Sequence, residues 1–244
     1  MIDKLFPTSI YHEDLVVPDD VQLGMVNYID RFYEEKKHHL QFVPSLTGEV
    51  LGDPQISNKE EFKWITEQVS KHCSRYIKMI GATLEPNDIH PGSDLYIPQS
   101  WPIVCTNGGN VGYHKHCQSH FSAVFYVKTE ENNETGNLIV HVHEPNPLSY
   151  LPIFHERTTE YNVKRKKYTP VQNRLFIFPS MLAHEVETYF GNTPRYSISY
   201  DILVTTKKDA GNFCLVNPSK WIKITSLCYN DHHNPFHPIN MEGF

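Results

Sequence analysis

The chain has 244 residues, 39% of them hydrophobic and 20% charged, with a formal net charge of -6, which suits one soluble globular domain with a sizeable core. The lack of a basic excess disfavours wholesale nucleic-acid binding and attachment to an anionic membrane surface, and no stretch approaches the roughly eighteen apolar residues of a membrane span. The opening MIDKLFPTSIYHEDL lacks the apolar core of a signal peptide, and the five cysteines (Cys73, Cys105, Cys117, Cys214, Cys228) are odd in number with no CxxC pair, so reduced thiols in a cytoplasmic protein are expected.

In chain order, the first element is a helix over residues 18–37. Val21, Met25, Tyr28, Ile29, Phe32 and Tyr33 form one apolar stripe there, with Asp19 or Asp20 as N-cap. A second helix is predicted over 57–81, with Ser57 and Glu60 as a capping box. Phe62, Ile65, Val69, Cys73, Ile77 and Ile80 recur at threes and fours in it, and Gly81 is the C-terminal stop. Helices with one apolar stripe need a surface to cover. From about residue 94 the pattern changes to short strands punctuated by Gly, Asn and Pro, as in a sandwich or barrel. The predicted strands are 101–106, 121–128, 138–143, 174–178, 184–189 and 195–205. The expected organisation is a single domain over 1–244: helical support in 1–93, a β core in 94–205 interrupted by a long loop at 144–170, and a C-terminal tail in 206–244. The basic run Lys164–Lys167 is expected to be a solvated part of that loop. Phe213, Leu215, Trp221 and Ile224 of the tail are apolar enough to pack on their own domain or to form a homodimer.

The chemistry concentrates in three histidines and one arginine. His114 and His116 stand two apart in GYHKHCQSH, so in an extended segment both point to the same side and reach one metal ion together. His184, in FPSMLAHEV, joins them from a partner strand. For His184 the competing reading is a buried, hydrogen-bonded histidine, and for the pair it is two exposed histidines together by chance in a chain with fifteen. Cys117 would face away from His116. In the strand 195–205, alternation puts Arg195, Ser197, Ser199 and Asp201 on one face and Tyr196, Ile198, Tyr200 and Ile202 on the other. The second face packs on another layer, so the polar face must look into water or a ligand cavity. A guanidinium there is permanently charged and grips a carboxylate bidentately. His141 and His143 share a strand face that is either solvent or cavity wall, and His120, His232, His233 and His237 read as loop residues.

Taken as a set, these residues resemble the Fe(II)/2-oxoglutarate-dependent dioxygenase superfamily, and within it a group of bacterial and phage oxygenases. The resemblance rests on LFPT at residues 5–8, Trp101, the pair His114 and His116, Ser122 with Phe125 and Tyr126, Gly136, FPSMLAHEV at 178–186, and RYSIS at 195–199. It covers most of the chain to about Asp201, and its motifs are specific as a set although each alone is weak.

The resemblance implies a mainly β (α+β) fold: a double-stranded β-helix, or jelly roll, with the N-terminal helices packed on one sheet. It also implies Fe(II), 2-oxoglutarate and O2 as cofactor and cosubstrates, and hydroxylation of an unidentified small-molecule, nucleotide or peptide substrate. By position His114 and His184 would be metal ligands, Arg195 and Ser197 would hold the distal carboxylate of 2-oxoglutarate, and Tyr126 would donate to it. The departure is at His116, where most of the superfamily carries a carboxylate. It is expected to ligate the metal, the alternatives being that it shields the site or cedes its place to Glu144 or water. Two other readings stay open: a cupin-type three-histidine metalloenzyme that uses no 2-oxoglutarate, and a non-catalytic jelly roll with a structural zinc.

Overall fold

The structure, a computed structural model, describes residues 8–85, 92–131, 133–141, 159 and 163–207. Leu5–Pro7, His143, Glu144, most of the expected 144–170 loop and the tail from residue 208, with its cysteines, histidines and apolar residues, lie outside the described residues.

Two antiparallel sheets face each other. The larger has the order β1 (Tyr11–Asp14), β8 (Arg174–Pro179), β5 (Phe121–Lys128), β10 (Arg195–Thr206), β3 (Ser93–Cys105), β2 (Leu46–Thr47). The smaller has the order β4 (Val111–His114), β9 (His184–Val186), β6 (Leu138–His141), β7 (Arg165–Tyr168). This is the expected jelly roll. Helices α1 (Asp19–Lys36) and α3 (Lys63–Met79) cover the outer face of the larger sheet, and the short α2 (Gly48–Leu51) follows β2.

Strict alternation in the larger sheet makes two apolar layers. Ala123, Phe125, Val127, Leu175, Ile177, Tyr196, Ile198, Tyr200 and Ile202 point outward and bury Met25, Ile29 and Phe32 of α1 and Ile65, Val69, Cys73 and Ile77 of α3. Each such aliphatic side chain contributes about 1.5–3 kcal/mol when fully buried, so the helices are held chiefly by this face. Tyr126, Phe176 and Phe178 point the other way and meet Leu138, Val140 and Leu182 between the sheets.

Local details depart from expectation in three places. The N-cap of α1 is Pro18, and Asp19 and Asp20 sit in the first turn, where they favour the helix dipole without a capping hydrogen bond. Ser57 and Glu60 make no capping box. Residues 56–58 and 60–62 form two 3-10 turns, Ser57 Oγ donates to Gln55 Oε1 at 2.8 Å, and α3 starts only at Lys63. Its end is as expected: Gly81 takes φ 84°, its N–H donates to Lys78 O at 3.1 Å and that of Ala82 to Ile77 O at 3.0 Å, which leaves Ile80 exposed. Finally, much of the basic run is not loop but the edge strand β7, whose charges stay in water, with Lys167 Nζ 2.9 Å from Glu187 Oε2. No helix among the described residues is long and apolar enough to cross a membrane.

Candidate metal centre and anion pocket

The space between the sheets opens into a cavity of about 340 Å³ with two chemically different regions in its wall: His114, His116 and His184, and Tyr126, Arg195 and Ser197. Register explains the histidines. β4 and β9 are antiparallel and pair His114 directly with His184, while His116 follows just beyond the end of β4, its N–H donating to Ser180 O at 3.0 Å. One ligand atom from each of the three lies within 4.8 Å of those of the others. Cys117 is exposed and is not in that group.

Each ring has its Nδ1 engaged. His114 Nδ1 is 2.8 Å from Gly112 O, His184 Nδ1 is 2.8 Å from Leu182 O, and His116 Nδ1 is 2.9 Å from Asp201 Oδ1. Carbonyls and carboxylates only accept, so each Nδ1 carries a proton, and in a neutral ring Nε2 then presents a lone pair. The Nε2 atoms of His114 and His116 are then two acceptors 3.1 Å apart, which is unfavourable without a cation between them. This donor set fits a divalent metal of the iron or zinc type. Aromatic packing holds the rings: Trp101 stacks on His116 at 5.8 Å and Phe178 meets His184 edge-on at 4.9 Å.

Burial, and then the neighbouring His114, push the His184 imidazole down to about 3 from its usual 6.5, and burial lowers His114 as well. Both are therefore neutral and ready to ligate at neutral pH. The sign for stability follows: below pH 6.5 the unfolded chain takes up protons that the folded chain refuses, so the metal-free protein loses stability as pH falls from 6.5 toward about 3. His184 contributes about 1.4 kcal/mol per pH unit in that window. Urea melts of metal-free protein at neutral and mildly acidic pH are expected to show this loss, and equal stabilities would contradict it.

Arg195 begins β10, is 1% exposed, and has no acidic partner among the described residues. Its guanidinium lies over the rings of Tyr126 (5.4 Å) and Tyr189 (5.7 Å), one Nη donates to Gly136 O, and Nε has no partner. Gly136 has φ 68°, and a Cβ there would come within 2.8 Å of the guanidinium, so glycine is required for this approach. Ser197 stands directly opposite Tyr126 in the β10–β5 pairing, and Ser197, Ser199 and Tyr126 all line the cavity. A buried cation with an unpartnered N–H is stabilised by an anionic counter-charge.

Of the expected residues, all six are thus found on one cavity. His141 is not among them; its Nε2 is 3.0 Å from Glu185 Oε1 and its ring packs on Tyr113. Asp201, Tyr189 and the Gly136 carbonyl were given no role by the sequence. Asp201 could have been found, since it shares the Arg195 face of β10 and a buried carboxylate needs donors.

Residues 99–201 match the family model described as "Putative 2OG-Fe(II) oxygenase". Among solved structures, an oxidoreductase of the 2OG-Fe(II) oxygenase family from Burkholderia pseudomallei is 16% identical over 60% of this chain, with a TM-score of 0.41, and the chain spans only 59% of its length. A Pseudomonas putida prolyl-4-hydroxylase is 12% identical, covering 80% of this chain and 93% of its own, with a TM-score of 0.51. A prolyl hydroxylase from Trichoplax adhaerens, solved with a hypoxia inducible factor peptide fragment, is also 12% identical, at 80% and 83% coverage and a TM-score of 0.51. At these identities the last two establish the fold alone. No curated protein matches the chain in sequence.

Proposed function

For a chain whose residues 99–201 match a family model described as a putative 2OG-Fe(II) oxygenase, we propose a non-haem iron enzyme that couples oxidative decarboxylation of 2-oxoglutarate to hydroxylation of a second substrate. The observation that carries this reading is the pairing of three imidazoles with a buried Arg195 that has no carboxylate partner among the described residues, on the walls of one cavity. A three-histidine cupin site gives no reason to bury Arg195, and a closed structural zinc site needs a fourth protein ligand, which the described residues do not bring to the cluster.

In this reading His114, His116 and His184 hold the metal through Nε2. Arg195 takes the distal carboxylate of 2-oxoglutarate, with Ser197 and Tyr126 beside it. Bound iron, with 2-oxoglutarate and dioxygen, supplies the oxidising power, yielding succinate, carbon dioxide and hydroxylated product. The protein's own work is to bind and aim. Ile103, Val124, Leu138 and Val186 line the cavity and exclude water, while the exposed Glu49 and Tyr113 mark the mouth through which a substrate enters. No separate general base is assigned.

Anaerobic addition of 2-oxoglutarate to the Fe(II) protein is expected to produce the weak visible charge-transfer band of a chelated 2-oxo acid. Bound iron without a band would favour the cupin-type reading, and failure to bind iron would turn the histidines into structure.

A further inference from the structure

The centre has three neutral ligands where a carboxylate ligand would contribute a negative charge, yet a carboxylate lies directly behind one of them. Asp201 is 6% exposed, and its Oδ1 is 2.9 Å from His116 Nδ1. It is not among the groups whose ligand atoms converge. Ser119 Oγ donates to the same Oδ1 at 3.0 Å, with Ser180 Oγ 2.8 Å behind Ser119 and Ser122 Oγ 3.1 Å from Ser180. The carboxylate is thus anchored by a row of buried hydroxyls at a register shift of β10, between Asp201 and Leu203, while Trp101 closes on the His116 ring. The other two imidazoles rest on backbone carbonyls, which no substitution removes; His116 alone depends on a side chain.

We propose that Asp201 is the positioning residue of the metal centre: through His116 it sets the tautomer that frees Nε2 and supplies the negative charge that the ligand set itself lacks. A carboxylate on the far nitrogen of a ligating imidazole fixes ring orientation and raises ligand basicity, and losing such a partner typically weakens metal binding about 10- to 100-fold. The proposal rests on the three-histidine reading above, and its test separates the two.

The full-length, metal-free protein is titrated with Co(II), followed by its visible spectrum. Wild type is expected to bind; absence of binding would overturn the centre itself and this role with it. In Asp201→Asn the amide keeps the shape and can still accept from Nδ1, but the charge is gone. Co(II) affinity is expected to fall about 10-fold or more with an altered spectrum, whereas a purely structural Asp201 would leave both unchanged. Adding His116→Asp to Asp201→Asn moves the charge into the ligand set and is expected to restore affinity; a double variant no better than the single one would overturn the proposal. Should Asp201→Asn not fold, long-range proton–nitrogen correlation spectra of Zn(II)-loaded wild type need no variant. His116 protonated on Nδ1 is expected, and the Nε2-protonated form would overturn it.

Discussion

In an Arg195→Met variant, 2-oxoglutarate binding is expected to collapse while the metal-free fold survives. Truncating one partner of a desolvated charge pair costs about 2–5 kcal/mol, which is about 30- to 4,000-fold in dissociation constant. Loss of stability should be much smaller. Without ligand, Arg195 is a buried cation whose Nε has no partner, held by one carbonyl and two aromatic rings. Methionine fills similar space between Tyr126 and Tyr189 without a charge to desolvate, so the metal-free protein is expected within about 1 kcal/mol of wild type, or above it. Calorimetric titration of 2-oxoglutarate into the anaerobic Mn(II) protein, beside urea melts, checks both halves. Unchanged affinity would remove Arg195 from the anion pocket. Arg195→Lys is expected to be intermediate, because an ammonium keeps the charge but not the planar fork.

His184→Ala is the second large effect. His184 faces His114 across the β4–β9 pair and is 4% exposed. Two imidazoles would remain, and the loss in metal affinity should exceed the roughly 100-fold upper end seen for partners one bond further out. Iron-dependent turnover of 2-oxoglutarate is expected to disappear. The same variant removes the group whose protonation burial opposes, so the acid-side loss of stability should shrink by about 1.4 kcal/mol per pH unit over the window in which His184 is held neutral. These two readouts are independent. A variant that kept its metal would exclude His184 from the ligand set, and an undiminished acid slope would place the refused proton elsewhere.

How much of this was readable from the chain depends on the range of the interaction. Amphipathic periodicity located α1 and α3, because a helix advertises its buried stripe every three to four residues, as Met25, Ile29 and Phe32 do. The strands β5, β8 and β10 were readable to within a residue or so because they are long and apolar on at least one face. The short strands β1, β2, β4 and β7 were not. Two to four residues carry no period, and they are strands only because a neighbour supplies the other half of the ladder. The capping box failed for the same reason: Ser57 and Glu60 have the local chemistry of a helix start, but Ser57 N–H donates to Ser100 Oγ at 2.8 Å and the segment is spent on contact with β3.

By itself the sequence determined the donor types and their parity. His114 and His116 can share a side because side chains alternate along an extended backbone, and Arg195, Ser197, Ser199 and Asp201 share a face of β10 for that reason. Only the tertiary structure decided that His184 sits opposite His114, that Gly136 and two tyrosines surround Arg195, and that Asp201 stands behind His116. Apart from Tyr189, six residues before Arg195, these contacts join residues from about sixty to eighty-five positions apart, and such distances are closed by strand register and packing between sheets, to which local propensity and spacing are blind.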